Sequence, residues 1–159
     1  MKKLFAMLLA IALVLSLSVT AFAADYDTTG DKGMTVTYSV APAYTVTIPS
    51  TVTIGTSGTS AEISAADVVV NKGQYVSVTL AENNNFTVKT TEGATLTYTV
   101  TANGKNVAAG GEILAVNPAD GKTGTATVTF YIDESAIQYA GTYIGSATFT
   151  IAVNTAENN

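Results

Sequence analysis

Apolar and polar residues alternate with period two along most of this chain, a pattern that fits β-strands with one face buried and the other wet. Met34, Val36, Tyr38 and Val40 fall on one face, with Thr35, Thr37 and Ser39 on the other. Tyr44, Val46 and Ile48 repeat the pattern, and Val52 and Ile54 carry it past Pro49. Val76, Val78 and Leu80 follow, then Phe86 and Val88, then Leu96, Tyr98 and Val100. Ala126, Val128, Phe130 and Ile132 precede a last long strand with Tyr143, Ala147, Phe149, Ile151 and Val153 inward. Turn-forming residues separate the runs: GTSGTS at 55–60, NNN at 83–85, Asn103-Gly104, and NPADGKTG at 117–124. Asn103-Gly104 is the sharpest of these, because both residues tolerate the positive φ of a type I′ hairpin. Only 65–70 and 134–140 could form a helical turn. The spacing therefore predicts an all-β fold: an antiparallel immunoglobulin-like β-sandwich with Greek-key connections over residues 34–154. A flexible polar leader at 24–33 and a flexible tail at 155–159 are expected to flank it.

Before that domain stands an export signal. Lys2 and Lys3 give a short positive start, residues 4–19 are uncharged and apolar, and Ala21-Phe22-Ala23 offers small residues where a signal peptidase reads. The apolar run is shorter than the roughly 20 residues a membrane-spanning helix needs. Residues 1–23 are therefore expected to be a signal peptide, cleaved between Ala23 and Ala24, and the chain to be secreted without stable membrane insertion. With no cysteine for lipid attachment and no LPxTG-like signal at the C-terminal AVNTAENN, attachment to a surface is expected to be non-covalent or through assembly with other chains.

Composition narrows the chemistry further. The chain has no Cys and no His, which excludes disulfides, thiolate metal sites and the commonest general base. Losing Lys2 and Lys3 with the leader leaves five lysines against twelve Asp plus Glu, a net charge of −7, and there is no arginine. Such a domain is a poor partner for nucleic acid, whose recognition rests on neutralising phosphate. No cofactor is expected.

Several weaker signals have plainer readings. Threonine dominates the outward faces, which suits a polar strand surface better than an ice-binding array, since no short fixed repeat is present. Asp25, Asp27, Thr29, Gly30 and Asp31 begin like a calcium loop, but Val36 stands where its last ligand belongs. GKT at 121–123 lacks the first glycine of a phosphate loop, and Asn85-Phe86-Thr87 reads as a turn beside a strand. Catalysis could draw only on carboxylates in a cleft, from Glu62, Asp67, Glu82, Glu92, Glu112, Asp133 and Glu134. Tyr131, Tyr139 and Tyr143 are candidates for a glycan-stacking platform, or else pack a strand crossover as in a tyrosine corner. Lys32 and Asn154 stand where an early and a last strand could be joined by an isopeptide bond with loss of ammonia.

The ending YAGTYIGSATFTIAV resembles the closing strand of secreted bacterial surface sandwiches, including WxL-type cell-wall-binding domains and fimbrial, spore-coat-like pilin domains. YTVTIPSTVTI is similar to the opening of small exported proteins of Gram-positive bacteria. The resemblance implies a surface sandwich. With no tryptophan the chain departs from the Trp-x-Leu motif, so no functional residue carries over. The expected function is a non-enzymatic bacterial surface protein serving adhesion, cell-wall association or a surface fibre. Its expected partners are a cell-wall or host glycan or protein, or a second copy through edge strands. A carbohydrate-binding module is the alternative, and a glycoside-acting enzyme a remote one.

Overall fold

A computed structural model describes Gly33, residues 35–55 and residues 57–156. In chain order the strands are β1 (Ala43–Thr47), β2 (Thr59–Val69), β3 (Gln74–Leu80), β4 (Thr87–Lys89), β5 (Thr95–Ala102), β6 (Lys105–Asn106), β7 (Glu112–Val116), β8 (Gly124–Ile132), β9 (Ile144–Gly145) and β10 (Phe149–Thr155). A one-turn 3-10 helix at Glu134–Ala136 is the only helical element among the described residues. The larger sheet runs β1-β2-β8-β5-β4-β9, with β6 hung on β5, and the smaller runs β10-β3-β7. Every strand pair is antiparallel.

Alternation predicts the middle of this fold correctly. In β5, Leu96, Tyr98, Val100 and Ala102 are buried while Thr95, Thr97 and Thr99 face solvent. Ala126, Val128 and Phe130 do the same in β8. On β3, Val76, Val78 and Leu80 meet them from the smaller sheet, and Ile63 and Val68 come in from β2. Each such side chain contributes about 1.5–3 kcal/mol by leaving water, an upper figure because unfolded chains already bury some apolar surface. Asn103 and Gly104 both take positive φ, 48° and 78°, and turn β5 back into β6.

Four expectations are corrected. The strand expected from Met34 onward is not seen: residues 35–40 join no sheet among the described residues. Val52 and Ile54 pack against the core, yet residues 51–55 also stay outside both sheets. Residues 65–69 belong to β2 rather than to a helical turn, as their valines favour. There the register to β1 slips where Asp67 takes φ 53°, so the inward positions pass from Ala65 to Val68. A bulge of this kind inserts one residue and bends the strand. The last strand is not continuous either. β9 pairs with β4 in the larger sheet, and β10 pairs with β3 in the smaller.

The crossing between them is fixed by a buried polar cluster. Tyr98 donates its hydroxyl proton to the Ser146 carbonyl at 2.9 Å. Asn84 Nδ2 then donates to that hydroxyl at 3.3 Å, leaving Asn84 Oδ1 to accept the Thr148 amide at 3.3 Å. The Ala81 amide bonds the Thr148 carbonyl at 2.8 Å. Among the described residues no buried side-chain nitrogen or oxygen lacks a partner, as a stable interior requires.

Candidate functional site

The smaller sheet has half as many strands as the path of the larger one, so it cannot cover all of the larger sheet's inner face. Where cover is missing, an open groove of about 700 Å³ remains. Val88 of β4, Leu96 and Tyr98 of β5, and Phe130 and Ile132 of β8 line it from the larger sheet. Residues 49–55 contribute on one stretch of chain, and residues 141–147 with Phe149 on another. Ile144 and Ile137 stand exposed at this site. Phe86, Tyr98 and Phe130 pack as a tilted aromatic row beneath it, with ring centroids 5.7 and 6.1 Å apart.

The groove is chemically plain. Among the described residues, Glu134 is the only charged one in its lining. Its neighbour Asp133 caps the 3-10 turn, accepting the Ser135 hydroxyl at 2.7 Å and the Ser135 amide at 2.9 Å. Those two bonds, the hydroxyl's first, hold the Asp133 carboxyl below its ordinary 3.8. The carboxylates of Glu62, Asp67, Glu82, Glu92, Glu112 and Asp133 are all exposed and lie outside the groove lining. No group of three acidic residues able to hold a metal ion occurs among the described residues.

The three candidate tyrosines play different parts. Tyr143 is half-buried, packs against the core and donates its hydroxyl to the Tyr139 carbonyl at 2.9 Å. That is the behaviour of a tyrosine that fastens a corner to its own backbone. Tyr139 is exposed, and Tyr131 lies over Gly58, where any Cβ would strike its ring. Of the three, only Tyr143 lines the groove. Asn154 Nδ2 donates to Ser77 Oγ at 2.7 Å across the β10–β3 pair. Lys32, the calcium-like leader and the cleavage pair Ala23 and Ala24 lie outside the described residues.

Sequence reasoning missed the groove itself. Its lining comes from β4, β5, β8, β9, the first residue of β10 and the irregular chain around them, and the sheet mismatch leaves them uncovered together. Two short motifs could have hinted at it: Val52 and Ile54, apolar yet bracketed by Pro49 and Gly55, and Tyr143-Ile144 after Gly141. No protein-family model matches the chain, and no curated protein matches its sequence. Among the described residues, no helix is long and apolar enough to cross a membrane.

Proposed function

We propose that the chain is an exported, non-enzymatic protein of a bacterial surface, an immunoglobulin-like Greek-key sandwich serving adhesion, wall association or a surface fibre. The observation that carries this reading is the pairing of a largely apolar groove, with one carboxylate in its lining, and extended chain that has no strand partner among the described residues. Such surfaces act by burial and by strand pairing, without side-chain chemistry. Connections that pass from one sheet to the other at β2 to β3, β3 to β4, β6 to β7, β7 to β8 and β9 to β10 support the Greek-key reading. Hydrolysis by two acids needs a pair flanking a cleft, and among the described residues Glu134 is the one acid that lines this groove.

Fractionating the source cells tests the proposal. The protein is expected in the wall or the medium, with a mass that begins at Ala24. Unprocessed protein confined to the cytoplasm would sink it. Glycan binding is the second reading, favoured by the exposure of Tyr131 and Tyr139. A glycan array without hits removes that reading and leaves the first intact.

A further inference from the structure

Residues 35–40 read Thr-Val-Thr-Tyr-Ser-Val, and residues 95–100 on β5 read Thr-Leu-Thr-Tyr-Thr-Val. On β5 this pattern puts Leu96, Tyr98 and Val100 into the core at 7, 4 and 2% exposure. In the first segment Val36, Tyr38 and Val40 stand 81, 76 and 53% exposed. Among the described residues, 35–40 are in no strand and make no hydrogen bond. Ala41 precedes Pro42, which disfavours a helical turn and holds the approach to β1 extended. Folded proteins blunt an uncovered strand of this composition with charge, proline or a bulge. No charged residue lies within 35–40. The segment has the sequence of a core strand and no core to enter.

The groove has the complementary deficiency. Beside its apolar lining run residues 51–54, alternately exposed and half-buried like a strand. Among the described residues their backbone makes no ladder, and Thr53 O, which accepts the Thr59 hydroxyl at 2.9 Å, is its only hydrogen-bonded group. An uncharged apolar strand satisfies both needs, burying its side chains and pairing this backbone. A charged ligand would satisfy neither. In the structure residues 35–40 leave their own groove open and stand in solvent.

We propose that residues 35–40 of one copy add as a strand along residues 51–54 of a second copy, placing Val36, Tyr38 and Val40 in its groove. This rests on the reading of the chain as a surface protein and names its partner as itself. Donor segment and acceptor groove are different surfaces, so the contact is heterologous and repeats into a ring or a filament.

Light scattering after size exclusion, on the mature chain from Ala24, is the test. The unaltered chain is expected to grow in mass with concentration. V36D/Y38D removes the donor, and I144E places a charge in the acceptor at a side chain that is already exposed. Each is expected to weaken association by on the order of a hundredfold while keeping the native circular dichroism. Mixed in equal amounts, the two variants are expected to form a discrete dimer and nothing larger, because each supplies what the other lacks. A synthetic peptide of residues 34–41 is expected to cap the unaltered chain and shorten its assemblies. A monomer at every concentration, its groove open or filled by its own residues, overturns the proposal. So do variants that assemble like the unaltered chain. A monomer that still partitions with the cell wall overturns this pairing and leaves the surface reading standing.

Discussion

Residues 35–40 and β5 carry nearly the same six residues, and the fold treats them in opposite ways. On β5 the pattern is flanked by β8 on one side and by β4 and β6 end to end on the other. Its tyrosine hydroxyl is held by Ser146 and Asn84. In residues 35–40 the matching tyrosine, Tyr38, touches nothing that would keep it from water. Alternation therefore specifies a strand and the face it would bury. Whether the face is buried depends on neighbours that lie far away in sequence. Ile132, for instance, pairs with Tyr98 across 34 positions.

Substituting the two tyrosines breaks the comparison most sharply. Tyr98→Ala is expected to cost about 3–5 kcal/mol in urea unfolding of the monomer, as for other buried aromatic residues. Tyr38→Ala should stay within about 0.5 kcal/mol, because a surface residue is removed. Equal losses would mean that residues 35–40 are buried after all. Next in size is Asn84→Ala, which strips partners from the Tyr98 hydroxyl and the Thr148 amide. About 1–3 kcal/mol should be lost, read from the same unfolding curves. A Tyr98→Phe background should reduce that loss, since the two share one cluster.

Smaller again is Gly104→Ala. A Cβ there meets nothing within 4 Å, so the whole effect comes from holding φ at +78°. About 1–2 kcal/mol is expected, visible as a fall in melting temperature. The smallest effect concerns Asp133, whose folded-state pKa is depressed by the Ser135 hydroxyl and then by the Ser135 amide. A depressed carboxylate adds stability above its unfolded pKa and loses it as pH falls through the folded one. Stability from this cap should therefore be complete well above pH 3.8 and fade as pH falls through that value toward the lower folded-state pKa. An NMR titration of Asp133 with its midpoint at or above that value contradicts the assignment.

The middle of the fold was legible because Leu96, Tyr98, Val100, Val128 and Phe130 are large, and each alternates with a polar residue. β2 was hidden for a physical reason. Its inward positions include Ala61 and Ala65, which give little apolar signal, and the Asp67 bulge then shifts the phase. β7 was hidden because Ile113 and Leu114 are both buried, so no alternation exists to detect. Of the expected inward set, Tyr143, Ala147, Phe149 and Ile151 do pack against the core, but Val153 is 39% exposed on β10, and the change of sheet between them was not readable. That change depends on Asn84 and Tyr98, which are far from it in sequence. The groove was illegible for the same kind of reason, since it exists only because one sheet is shorter than the other.

Amide hydrogen exchange across a concentration series tests the central claim, that residues 35–40 are a strand waiting for a neighbour. In dilute solution the amides of 36–40 should exchange freely while those of β5 are protected. At high concentration protection should rise in 36–40 and in 51–54 together, at the same midpoint. Protection of 36–40 in the dilute monomer, or none at any concentration, would contradict the account.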